Sequence, residues 1–264
     1  MNALPSGTDL PQPRPGWRVA LLPLAWLALQ AHLLVLGLMS VGWNLAAFVL
    51  YPLLRRPVGL RVGRAMIAWG YGLFWRLAAF TGMMRLDAAV LDTLRDEPGL
   101  IVVANHPSML DAVMLMARLP RSACIMKASL MHNPLLGPGA RLARYIRNDS
   151  AYGMIQCAVQ DLRAGGQLVM FPEGTRTTRA PLNPFHASFT LIARRAGVPI
   201  QALFIDTDSP YLSKGWPLWR LPPLPILFSV RLGQRFEPQE DHEALMAQIE
   251  AYYLAGVHVP EALQ

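Results

Sequence analysis

The sequence predicts an α/β fold: a central mixed, largely parallel sheet flanked by helices, with an N-terminal membrane-associated helical segment ahead of it. Three observations predict this. From about residue 83, short apolar runs rich in β-forming residues alternate with stretches of helical periodicity, the pattern of a sheet covered by helices. Glycines stand where those helices should stop, at Gly165-Gly166 and Gly197. Ahead of this region, the 36 residues from Val19 to Leu54 contain no Asp, Glu, Lys or Arg.

The expected elements follow in order. Residues 1–18 are polar and proline-rich and read as a disordered tail. Residues 19–82 read as the membrane-associated segment. One helix over Val19–Leu54 would run about 54 Å against roughly 30 Å of hydrocarbon. A bend is therefore expected at the cluster Gly37, Ser40 and Gly42, giving a hairpin, with a tilted single span as the alternative. Arginines lie on both flanks (Arg14 and Arg18; Arg55, Arg56, Arg61 and Arg64). A hairpin keeps both flanks on the positive, cytoplasmic side, so the expected location is the cytoplasmic face of the cell inner membrane. Residues 64–82 interleave Trp69, Tyr71, Phe74, Trp75 and Phe80 with arginine, which suits a head-group layer, and Trp216 to Leu224 form a second greasy stretch. His32, inside the apolar run, is expected to be neutral and hydrogen-bonded.

Residues 83–264 read as the α/β domain. Strands are expected at Leu100–Ala104, Ala123–Met126, Gln167–Phe171, Pro199–Ile205 and Ile226–Leu232. Helices are expected at Met109–Leu119, Ala151–Ala164, Ala187–Ala196 and Glu240–Leu254.

Composition narrows the function. Apolar residues make up 53% and charged residues 16%, which fits a globular domain with a membrane attachment rather than a multi-span transporter. The net charge of +7 is almost all arginine, Lys127 and Lys214 being the only lysines. Such a surface attracts anionic lipid or an acidic carrier; no nucleic-acid-binding motif accompanies it. Cys124 and Cys157 read as isolated buried thiols, and no CxxC or HExxH spacing calls for a metal.

Two clusters carry chemistry. Asn105-His106-Pro107-Ser108-Met109-Leu110-Asp111 follows the first strand of the domain, where α/β folds place ligands. A carboxylate at Asp111 can hold one imidazole nitrogen of His106 and leave the other to take a proton from a hydroxyl. Ser108-x-x-Asp111 is equally a capping box, in which Asp111 serves only the helix N-terminus. The second cluster, Phe171-Pro172-Glu173-Gly174-Thr175-Arg176, also follows a strand. Gly174 permits a tight turn, and Arg176 offers a planar fork for phosphate or carboxylate. Lys127 is expected near His106 across the sheet edge.

In these residues the chain resembles the lysophosphatidic acid acyltransferases and their relatives in glycerolipid synthesis, over about residues 100–205. The resemblance rests on Asn105-His106-x4-Asp111, on Phe171 to Arg176, and on Val198-Pro199-Ile200 opening a later strand. It implies an O-acyltransferase with His106 as general base and Asp111 as its partner. It further implies that Glu173, Gly174 and Arg176 help bind the acceptor, often a phosphorylated one; Thr175, Lys127 and Arg147 are further candidate substrate-binding residues. Acyl-coenzyme A or acyl carrier protein would be the donor, a membrane lipid the acceptor, and no other cofactor, metal or nucleic acid is implied. Relatives acting on lysophosphatidate carry a phosphate-contacting arginine where this chain has Asp149, with Arg147 close by. Relatives often have glycine after Phe185, and here His186-Ala187-Ser188 follows. Lys127-Ala128-Ser129-Leu130 resembles a subset from aryl-polyene and other specialised lipid pathways.

Overall fold

The structure, a computed structural model, describes residues 22–133 and 137–257. The expected tail 1–18, the first three residues of the expected apolar run and the last seven of the expected α/β domain lie outside the described residues. Two long helices come first, α1 (Leu22–Leu53) and α2 (Arg56–Phe80). Then follow β1 (Met84–Asp87), a 3-10 turn (Ala89–Leu94), β2 (Leu100–Ala104), α3 (Leu110–Arg118), β3 (Ser122–Met126), α4 (Ala128–His132) and α5 (Gly137–Leu142). The chain continues through β4 (Ile146–Arg147), α6 (Ala151–Arg163), β5 (Gln167–Met170), α7 (Ser188–Ala196), β6 (Ile200–Thr207), β7 (Ile226–Phe236) and α8 (His242–Gly256).

The sheet has seven strands in the order β1-β7-β6-β2-β5-β3-β4. All neighbours pair in parallel except β6 with β7, so β1 and β7 run against the rest. β2 and β5, reading LIVVA and QLVM, are buried at every residue. A run without polar alternation suits only the middle of a sheet covered on both faces. On one face Phe74 and Trp75 of α2 and Leu29 of α1 pack with Leu110, Met114 and Leu115 of α3. On the other, Ile155, Phe189, Ile192, Ile249 and Tyr253 of α6, α7 and α8 form a second core.

The expected bend in the apolar run does not occur. α1 continues through Gly37, Ser40 and Gly42, because an isolated helical glycine costs only about 1 kcal/mol and needs no turn. The chain reverses at Leu54–Arg55, where Arg55 is extended and Pro57 sits in the first turn of α2. A hairpin results, with Arg56–Phe80 as its second arm. His32 closes it: Nδ1 donates to the Ala28 carbonyl at 2.6 Å, and Nε2 then accepts from Thr81 Oγ1 at 2.9 Å. Among the described residues α1 is the one helix long and apolar enough to cross a membrane. Leu24, Leu34, Leu38, Phe48 and Leu53 on it are exposed.

Arg64 fastens this hairpin to the domain. Its guanidinium is buried and pairs with Asp161 of α6 at 2.7 Å, while also donating to the Ala143 and Arg121 carbonyls. The preceding glycine makes the approach possible: a Cβ at Gly63 would lie 2.6 Å from the Ala143 nitrogen. Trp26 Nε1 and Gln30 Nε2 of α1 donate to the Trp219 and Leu218 carbonyls, so the greasy stretch 216–224 lies against α1. Its Trp216 packs inward, and Trp219 is 78% exposed. Cys124 and Cys157 are both free; Cys157 is exposed, contrary to expectation, because it lies on the outer face of α6.

Candidate active site

β2, β5, β3 and β4 all deliver their carboxyl ends to one edge of the sheet, and every site residue expected from the sequence lies there. Asn105 stops β2 cleanly. Its amide donates to and accepts from the main chain of Ile205, both at 2.8 Å, continuing the ladder while its own backbone leaves the sheet. His106 is thereby the first residue free of the sheet.

Main-chain bonds then hold the His106 loop against the second cluster. His106 N–H donates to Glu173 Oε1 at 2.9 Å, and its carbonyl accepts from the Thr177 N–H at 2.8 Å. Glu173 also accepts from Thr177 Oγ1 and from the Asn183 N–H, and is buried. Its carboxylate therefore braces two loops. Gly174 adopts a left-handed φ of 67°, which closes the turn back to the Phe171 carbonyl.

The imidazole of His106 stacks on Phe171, with centroids 4.0 Å apart and planes at 18°. Its Nδ1 lies 2.8 Å from Asp111 Oδ2. The same oxygen accepts the Ser108 N–H at 2.7 Å, so the loop ahead of α3 and the histidine share one carboxylate, and Asp111 does not serve the helix start alone. With Nδ1 donating, the neutral ring carries its lone pair on Nε2. The His106 side chain remains 17% exposed, whereas Asp111 is fully enclosed.

Asp111 Oδ1 has no hydrogen-bond partner. Burial pushes this carboxyl up to about 6 from its ordinary 3.8, and the bond from His106 opposes the rise. The folded chain thus holds the Asp111 proton more tightly than the unfolded chain does. The group favours folding at and below its ordinary 3.8, and that advantage is lost as pH rises through about 6. Compared with an Asp111→Asn variant, the wild type should lose stability across that window. Urea midpoints taken at successive pH values measure this; parallel curves would refute it.

The remaining expected site residues are placed less tightly. Arg176 Nη1 donates to the Leu212 and Ser213 carbonyls, fixing the loop after β6. Thr175 is exposed beside it. Lys127 stands exposed at the end of β3, two strands from β2, or about 10 Å by strand spacing. Arg147, at the end of β4, pairs with Asp149 at 3.1 Å on the surface. The edge thus brings His106, Asp111 and the 173–176 turn into one bonded unit and leaves Lys127 and Arg147 at its flank. Phe171, Thr177 and Asn183 complete that unit. Phe171 stood in the quoted motif, but nothing in its sequence context signals that it stacks on His106.

Beside this edge lies an apolar cavity of about 620 Å³. α1 and α2 wall one side (Met39, Trp43, Trp69), and Met116, Cys124 and Met126 wall the other. Burial pushes the Cys124 thiol up to about 11, so it stays protonated and adds no charge.

Three comparisons bear on this arrangement. A family model described as Acyltransferase matches residues 85–206. Over 199 residues the chain is 27% identical to a 1-acyl-sn-glycerol-3-phosphate acyltransferase of Limnanthes douglasii, covering 71% of this chain and 66% of that one. Over 183 residues it is 31% identical to a lyso-ornithine lipid O-acyltransferase of Pseudomonas aeruginosa, covering 65% and 66%. The match thus spans just under two thirds of either relative. The crystal structure of the 1-acyl-sn-glycerophosphate acyltransferase PlsC from Thermotoga maritima superposes with a TM-score of 0.65 at 20% identity, over 90% of this chain and 95% of that one, which shows a common fold.

Proposed function

We propose that this chain is an acyltransferase, like the family whose model matches residues 85–206, and that it moves a fatty acyl group from a thioester carrier onto the hydroxyl of a lysolipid. The observation that carries the reading is the His106–Asp111 pair, with Ala112, the neighbour of Asp111, on the wall of an apolar cavity.

The acceptor hydroxyl gives its proton to His106 Nε2 as its oxygen bonds to the thioester carbonyl carbon. Charge gathers on the carbonyl oxygen and is met by main-chain N–H groups or the Arg176 guanidinium. Collapse breaks the carbon–sulfur bond, and the departing thiolate takes the proton back from the imidazolium. Asp111 holds the ring and stabilises its charged form, a task that needs the carboxylate ionised. Activity should therefore fall as pH drops through about 6, while the Asp111 contribution to stability rises over the same range.

The cavity supports a hydrocarbon guest. Gly42 lines it, and a Cβ there meets nothing within 4 Å. Gly42→Phe should fill part of the space without disturbing the helix. Each methylene kept from burial costs about 0.8 kcal/mol, so losing two costs a long-chain donor about tenfold in kcat/KM. Donors shorter by several carbons should be unaffected; equal losses at all lengths would count against the cavity as the acyl site.

Arg147 is held by Asp149, which weakens a phosphate contact at that flank and leaves the acceptor class open to zwitterionic lysolipids as well as phosphates. The exposed face of α1 would enter the membrane from the cytoplasmic side, with Arg55, Arg56 and Arg61 at the hairpin turn facing head groups. The direct test offers a labelled acyl thioester with a panel of lysolipids and follows both free thiol and ester product. Thiol release that needs no acceptor would identify a hydrolase and overturn the proposal.

A further inference from the structure

A second cavity, of about 360 Å³, borders the His106 loop. Asn105 and Pro107, the neighbours of His106 in sequence, form one wall; residues 177–181 form a second, and the stretch after β6 forms a third. Strand order runs β6-β2-β5-β3, so this cavity borders β6 and the apolar one borders β3, with the His106 loop between them. The apolar cavity lies on the sheet face covered by α1 to α3, whereas this one reaches Val257 at the end of α8, on the opposite face.

Its lining is more polar than its neighbour's, with Pro107, Ala180, Pro181, Ile205 and Pro210 adding apolar surface. Hydroxyls from Thr177, Thr178, Ser209 and Ser213 line it, Arg179 and Lys214 stand at its rim, and no Asp or Glu contributes. Thr177 and Thr178 spend their hydroxyl protons inward, on Glu173 and Asn183, which leaves oxygen lone pairs to accept. Neither Arg179 nor Lys214 has a carboxylate partner among the described residues. Two unpaired cations at the mouth of a hydroxyl-lined pocket fit a phosphate on a polar, amide-bearing chain.

The proposed acyl transfer supplies such a ligand. A thioester carbonyl joins a hydrocarbon tail to a pantetheine arm ending in phosphate, and here an apolar cavity and a more polar one lie on either side of the loop that carries the general base. We infer, resting on the acyltransferase reading, that this polar cavity seats the phosphopantetheine arm of the donor, with Arg179 and Lys214 on its phosphate. The two halves of the donor then lie on opposite sides of the His106 loop, and the carbonyl between them is held at Nε2.

The test compares an acyl-coenzyme A with the matching acyl-pantetheine, which has the same arm without phosphate, on full-length protein and on an Arg179→Ala/Lys214→Ala variant. The expected result is a KM for acyl-coenzyme A raised about tenfold or more in the variant. Its kcat, its acceptor KM and its acyl-pantetheine kinetics should stay within about twofold. An acyl carrier protein donor run in parallel shows which carrier brings the phosphate; a raised KM with either supports the assignment. An unchanged KM for both overturns it, as does an acceptor KM that rises instead, since the anion would then be the lipid head group. If the wild type transfers no acyl group at all, the acyltransferase reading fails separately. Calorimetric binding of coenzyme A to wild type and variant then decides the pocket alone: equal binding sinks the assignment, and loss in the variant sustains it.

Discussion

Replacing His106 with alanine should lower turnover by about 10²–10⁴-fold, the usual worth of a positioned general base. The fold should survive. The His106 side chain lies at the edge of the site, packed on Phe171, and the main-chain bonds of the loop to Glu173 and Thr177 do not depend on the imidazole. Asp111 would lose one partner but keep the Ser108 N–H. Asp111→Asn is the sharper companion. The amide oxygen can keep both the Ser108 N–H and His106 Nδ1, which share one oxygen of the carboxylate, but it brings no charge to stabilise the imidazolium. Turnover should fall, by up to the about 10⁴ that the equivalent change costs a serine-protease triad. Acyl-transfer rates beside thermal melts separate the two effects. Near-normal turnover by His106→Ala, with a normal melt, would remove His106 from the chemistry.

The largest stability effect is expected at Arg64. Arg64→Met leaves Asp161 as a half-buried, unpaired carboxylate and strips the Ala143 and Arg121 carbonyls of a donor. Breaking a buried pair from one side typically costs about 3–5 kcal/mol, a large part of the 5–15 kcal/mol that holds an ordinary domain together. Adding Asp161→Leu should recover part of the loss, because no charge is then stranded. Denaturant midpoints in detergent measure both variants. A single variant as stable as the wild type would show that the ion pair does not fasten α2 to α6. Since α2 walls the apolar cavity, long-chain activity should fall in step with stability.

Much of the site was legible because its determinants are local. A strand ending at Ala104, a histidine two residues on and an acid in the next helical turn lie within a dozen residues, and the observed β2 and α3 match the expected bounds within one residue. Parallel central strands announce themselves as unbroken apolar runs, as β2 and β5 do. The four-residue β1 and two-residue β4 were missed because their pairing is made by partners distant in sequence. The hairpin turn was misplaced for a related reason. Glycines drew attention to residues 37–42, whereas the reversal depends on Pro57 and on α2 docking through Arg64, a contact to a residue 97 positions away. The bracing by Glu173 was likewise hidden, since its three partners come from His106, Thr177 and Asn183 and no spacing rule joins them.

The two N-terminal helices are also part of the interior. Leu29, Phe74, Trp75 and Ala78 belong to the same packed cluster as Val102, Leu110 and Val169. Cutting the chain at residue 83 to obtain a water-soluble catalyst would therefore uncover one whole side of the sheet and unroof the apolar cavity. What such a truncation yields should be insoluble aggregate, and any soluble form of this protein must be sought by changing the outward face of α1, not by removing the helix.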